Sequence, residues 1–269
     1  MSVLDDVLAD LAAEGEALDA LVADLPEAQW RSATPAQGWD VATSIAHLAW
    51  TDEVAVLAAG TGTEAGQQAW DAVVLEAIAD PTGYVDTLAL AGGAVPAADL
   101  LARWRASRPA LASTLRAVPE GNKLPWFGPP MSPTSMATAR FMETWAHGLD
   151  VADALGAPAH PTDRIRHVAH IGVRTRGFSF SNHGLDVPDA QVRVELTAPS
   201  GATWIWGPED APEQVTGSAW DFCRLVTQRL HRDDTGLVAH GEGAEQWLRI
   251  AQAFAGPAGG GRAPQEVDR

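Results

Sequence analysis

Apolar residues near the N-terminus recur in steps of three, four and seven: Val3, Leu4, Val7, Leu8, Leu11, Leu18, Leu21 and Val22. That spacing draws one stripe down a helix and predicts a helix over 3–24, with Pro26 beginning the exit. "TPAQGWD" (34–40) follows as a turn-rich loop, with Pro35 and Gly38 as punctuation. A second helix, "DVATSIAHLAWTDEVAVLAAG", is expected behind Asp40 as its N-cap. Helical periodicity returns over 64–80 and 97–117. A Pro- and Gly-rich loop spans 118–133, and a long helix runs from about Ser135 to Leu155, where Gly156 stops it.

Beyond the short connector "GAPAHP" (156–161) the pattern changes. "IRHVAHIGVRTRGFSFSN" reads as a helix. "AQVRVELTAP" alternates Val192, Val194 and Leu196 with polar residues, as a half-buried strand does. "ATWIWGP" is a second strand after the turn "PSG", so a hairpin is expected. "SAWDFCRLVTQRL" and "GAEQWLRIAQAF" predict two more helices. The fold class is α+β: a helical bundle over 1–156, a smaller α/β domain over 162–256, and a loose tail over 257–269.

Composition narrows what such a molecule does. Apolar residues make up 46% of 269, enough for a sizeable core. The formal net charge of −17 repels phosphate backbones, which argues against nucleic-acid binding. The acidic, amphipathic N-terminus lacks a basic segment followed by an apolar run, and no stretch is long and apolar enough to span a bilayer. A cytoplasmic protein is therefore expected, as a monomer or homodimer. The single cysteine, Cys223, excludes an intramolecular disulfide. Its helical setting predicts a buried, inert thiol.

The chemistry concentrates in "FMETWAHGLD" (141–150). Glu143 and His147 stand at i and i+4, direct neighbours on a helix surface, with Asp150 one turn further. A carboxylate and an imidazole so placed can share one divalent ion at about 2 Å from each; they can equally form an ordinary helix ion pair. His47, on the second predicted helix, is a third candidate ligand, or else a satisfied core histidine. Asp52 and Glu53 beside it are candidate supporting groups or a solvated helix face.

Two segments carry a family resemblance. "TPAQGWDVATSIAHLAWTDE" and, about a hundred residues later, "ARFMETWAHGLDVADALG" resemble the DinB-like, mycothiol-dependent maleylpyruvate isomerase family. The resemblance implies a four-helix, metal-binding N-terminal domain and a smaller α/β domain. It also implies a divalent ion, most often Zn²⁺, on His47, Glu143 and His147, with mycothiol as co-substrate. Gly38 and Trp39 match the segment before the His-bearing helix, and Arg229 matches the arginine that ends a C-terminal helix. The loop "NKLPWFGPPMSP" and the segments "RTRGFSFSNHGL" and "WIWGPEDA" depart from the characterised isomerase, so substrate identity does not transfer.

The expected function is a thiol-dependent isomerase or S-transferase acting on a small electrophile. The alternatives are a metal-dependent hydrolase without thiol and a non-catalytic protein that the ion staples. Asp150 is a candidate to orient His147, or else a surface carboxylate at the helix end. Arg229, Arg174 and Arg176 are candidates to bind acidic groups of substrate or cofactor. Trp126 and Phe127 are candidates for a pocket wall, and His183 for an extra acid–base group.

Overall fold

The computed structural model describes residues 2–265, which divide into two compact units, one ending at Ala159 and the other beginning at His160. The N-terminal unit has six helices: α1 (Val3–Val22), α2 (Val41–Ala59), α3 (Glu64–Ala79), α4 (Tyr84–Gly93), α5 (Ala97–Ala117) and α6 (Pro133–Leu155). Helices α1, α2, α5 and α6 form the four-helix bundle, and α3 and α4 are inserted between α2 and α5.

Local chemistry sets the helix ends. Ser2 and Asp5 form a reciprocal capping box at the start of α1. Asp40 caps α2, accepting from the Thr43 N–H at 2.7 Å, as the sequence predicts. Ser132 caps α6, and Pro133 occupies its first turn, where no donor is lost. Gly156 ends α6 at φ 63°, a left-handed conformation that glycine takes without a Cβ clash.

α2 is buried on nearly every side and forms the spine of the unit. Two apolar clusters pack along it. One gathers Leu18, Trp30, Ile45, Leu48, Leu100, Trp104 and Val151. The other gathers Leu8, Val54, Leu111, Leu115, Leu124 and Met136. Between them lies a buried polar layer. Asp52 accepts from Arg140 Nε at 3.2 Å and from Ser107 Oγ at 3.1 Å, and Arg140 is only 2% exposed. Asp52 is thus no part of a solvated face. Glu53 is partly exposed and pairs with Arg103 through two contacts of 2.8 and 2.6 Å.

α4 was not foreseen. Its segment YVDTLALAGG buries only Ala89 and Gly93, and it has no side-chain N-cap. Gly93 lets it lie against α2, since a Cβ there would stand 2.9 Å from the Thr43 nitrogen.

The C-terminal unit has α7 (Arg166–Arg174), α8 (Arg176–Asn182), α9 (Ala219–Val226) and α10 (Glu242–Ile250) around a four-stranded sheet. The single helix expected from "IRHVAHIGVRTRGFSFSN" is two, divided at Thr175, whose hydroxyl donates to Ile171 O and Gly172 O. The strands are β1 (Val192–Thr197), β2 (Thr203–Trp206), β3 (Glu213–Ser218) and β4 (Val238–His240), in the order β2-β1-β3-β4. β1 and β2 form the expected antiparallel hairpin, pairing Val194 with Trp206 and Leu196 with Trp204. β3 pairs parallel to β1, so the sheet is mixed. Cys223 is fully buried; its Sγ–H donates to Ile165 O at 3.3 Å, and burial pushes the thiol well above its usual pKa. Of the 257–269 tail, residues 266–269 lie outside the described residues. Before them, the Gly259 N–H donates to Gln252 Oε1 and the Gln265 N–H to Asp234 Oδ2.

Candidate metal centre

α2 and α6 pack side by side, and each turns one polar stretch toward the other. His47 comes from the middle of α2. Glu143 and His147 come from consecutive turns of α6. Three ligand atoms, one from each residue, lie within 4.8 Å of one another. His47 Nε2 stands 3.5 Å from Glu143 Oε2, and His147 Nε2 stands 3.4 Å from the same oxygen.

These separations are informative. A charge-assisted N–H···O bond prefers about 2.7–2.9 Å. Ligands at about 2.0–2.1 Å around a tetrahedral ion stand roughly 3.4 Å apart, the edge of the tetrahedron. The two spacings match that edge and are long for a charge-assisted hydrogen bond.

Charge leads to the same fit. Burial, outweighing the pull of Glu143, drives the His47 pKa down from 6.5 to about 4, so its imidazole is neutral near pH 7. Burial alone would raise the Glu143 carboxyl, but bonding to His147 and His47 holds it well below the usual range. A buried carboxylate facing the neutral His47 imidazole and a second imidazole nitrogen is a donor set suited to a divalent cation. Both histidines are 8% exposed, whereas the Glu143 side chain is 22% exposed, so the centre is accessible beside Glu143.

Further side chains pack around the three donors. Asp150, 2% exposed, places Oδ2 3.5 Å from His147 Nδ1, the ring nitrogen turned away from Glu143. His47 Nδ1 is buried with no hydrogen-bond partner. The Trp39 ring stacks on His147 at 5.4 Å and 13°, and tilts against His47 at 5.2 Å. Its indole N–H donates to Asp86 Oδ1 at 3.0 Å.

The remaining sequence-derived candidates are distributed as follows. Trp126 lies on the loop before α6 and stacks on Trp70 at 6.3 Å. Arg174, Arg176, His183 and Arg229 all belong to the C-terminal unit. Arg176 pairs with Glu213 at 3.2 Å and lies over the Phe180 ring. Arg174 is exposed at the end of α7. Arg229 Nη1 donates to Thr227 O at 2.6 Å, and His183 Nδ1 lies 2.9 Å from Ser179 O. Sequence reasoning gave no role to Arg140 or Trp50. The Arg140–Asp52 pair joins residues 88 apart, which no local pattern shows. Trp50, three residues after His47 and 6.2 Å from its ring, was visible only as an apolar neighbour.

Fold and site together define a class: a helical-bundle protein with a two-histidine, one-glutamate centre on facing helices, followed by a small mixed-sheet unit. A sequence model of the mycothiol maleylpyruvate isomerase N-terminal domain matches residues 11–152, and the chain belongs to that family. A second model, described as wyosine base formation, matches residues 188–240. Uncharacterized proteins from two strains of Mycobacterium tuberculosis are each 54% identical to the chain over 255 residues, 95% of this chain and 97% of theirs. Crystal structures of the mycothiol-dependent maleylpyruvate isomerase and of a point mutant of it share the fold. Each has a TM-score of 0.59 and covers 88% of this chain and 92% of its own, at 15% and 16% identity.

Proposed function

We propose that the chain is a divalent-metal-dependent enzyme that uses a low-molecular-weight thiol, mycothiol in keeping with its family, in an isomerisation or S-transfer on a small electrophile. The observation that carries this reading is the approach of His47 Nε2 and His147 Nε2 to Glu143 Oε2 at 3.5 and 3.4 Å, within a cluster whose three ligand atoms lie within 4.8 Å of one another. Three protein ligands leave a coordination position for an incoming molecule.

A divalent cation held there supplies a Lewis acid that lowers the pKa of a thiol or water reaching it. The side chains do the rest. Asp150 Oδ2 faces His147 Nδ1 at 3.5 Å, and its negative charge favours the proton on that nitrogen, which leaves the Nε2 lone pair for the centre. Burial keeps His47 neutral and able to donate its own lone pair. Trp39 covers one side of both rings and excludes water there. For an isomerisation, the thiol sulfur adds to an electron-poor C=C. The resulting single bond rotates and the sulfur leaves, so the thiol is returned and no atoms are gained or lost. Arg229 has no assigned role in this scheme.

Elemental analysis of the purified protein beside His47→Ala tests the site. About one equivalent of divalent metal is expected in the parent and little in the variant; equal metal in both would remove α2 from the site. Turnover of an activated electrophile with and without added thiol tests the chemistry. Activity that ignores thiol omission would replace thiol transfer with water-based chemistry.

A further inference from the structure

Aromatic rings continue outward from the centre without a break. His47 meets Trp50 at 6.2 Å between ring centroids, and Trp50 meets Tyr84 at 5.7 Å and Phe127 at 6.4 Å. Phe127 in turn contacts Trp70 at 5.5 Å and Trp126 at 5.3 Å. Phe127 is 42% exposed, an unusual position for a ring with four aromatic neighbours. The loop that presents it is held in place. Leu124 and Met131 bridge it through two backbone hydrogen bonds of 2.8 and 2.9 Å, and Pro125, Pro129 and Pro130 restrict its backbone.

Two carboxylates stand beside the rings of this region. Asp86 accepts the Trp39 indole N–H, and Glu76 accepts the Tyr84 hydroxyl at 3.3 Å. Six of the seven basic side chains of the N-terminal unit are arginines already in ion pairs: Arg31, Arg103, Arg105, Arg108, Arg116 and Arg140. The seventh, Lys123, is exposed at the base of the loop. An anionic substrate held against this wall would face carboxylates, and the arginines of the N-terminal unit are already paired.

We propose that the wall of Trp50, Tyr84 and Phe127 receives an uncharged aromatic ring, so that the substrate is a neutral aromatic electrophile and not a dicarboxylate. This rests on the metal- and thiol-dependent function proposed above. A planar ring gains both area burial and favourable ring–ring geometry against three preplaced aromatics. The acidic rim discriminates against negative charge.

The test uses the full chain loaded with Co²⁺, whose thiolate charge-transfer absorption reports a thiol at the centre. Phenylmethanethiol and mercaptosuccinate are titrated as probes, one carrying a neutral ring and the other two carboxylates. Phenylmethanethiol is expected to bind about tenfold more tightly, the scale of one good ring contact. Phe127→Ala should remove most of that preference while leaving mercaptosuccinate unchanged. Equal or tighter binding of mercaptosuccinate, or equal weakening of both probes by Phe127→Ala, overturns the inference. If neither thiol gives the absorption band, the metal–thiol function fails instead. The wall is then decided on metal-free protein by tryptophan quenching. Quenching by 4-nitroanisole, reduced in Phe127→Ala and absent with 4-nitrophthalate, upholds the aromatic site; no difference between the two quenchers overturns it.

Discussion

At the scale of single residues, a few side chains set the properties of the centre. Asp150 Oδ2 lies 3.5 Å from His147 Nδ1, the ring nitrogen turned away from Glu143. Asp150→Asn is expected to weaken metal affinity by roughly 10–100-fold with little change in helix content, measured by competition with a chromophoric chelator. His47 makes the metal-free protein acid-sensitive. Its folded pKa of about 4 lies below the ordinary 6.5, so the unfolded chain takes up the proton first as pH falls. The stability His47 contributes is therefore full above about pH 6.5 and is lost between there and pH 4, on the order of 3 kcal/mol. Urea unfolding of chelated protein at pH 7 and pH 5 measures it, and an unchanged slope in His47→Ala would reject His47 as the cause. The Glu143–His147 pair was legible from its i, i+4 spacing. That His47 joins it was legible only through the family resemblance, because a histidine among Ile45, Leu48 and Ala49 reads equally well as core.

At the scale of elements, patterns with strong periodicity or caps were legible and weak ones were not. α1, α2, α3, α5, α6 and the β1–β2 hairpin follow from stripes, alternation and turn residues in the sequence. α4 was missed because a short run of small residues ending in glycines carries neither stripe nor cap. β3 was missed because EQVTGS offers a single large apolar residue, Val215, and its partner is β1, across a parallel crossover that local pattern does not encode. The cap on α2 has a measurable worth. Asp40→Ala removes an acceptor for the Thr43 N–H and hydroxyl and should cost about 1 kcal/mol in chemical unfolding. Because α2 carries His47, the same variant should also bind metal less tightly, and unaltered affinity would show that the helix start does not govern the ligand.

At the scale of the whole molecule, the centre sits in one of two compact units, beside the buried polar layer of Asp52, Arg140 and Ser107. Removing metal should therefore act locally. Hydrogen exchange after chelation is expected to rise in α2 and α6 and to stay unchanged in α9 and the sheet, and a uniform rise would contradict a ligand set confined to the bundle. The same placement bears on the order of events in the cell. The proposed metal ligands come from α2 and α6, with roughly a hundred residues between them. During synthesis the first imidazole emerges long before its partners and holds no cation alone. On the proposed metal reading, uptake therefore follows closure of the bundle, because only then do the three donors meet.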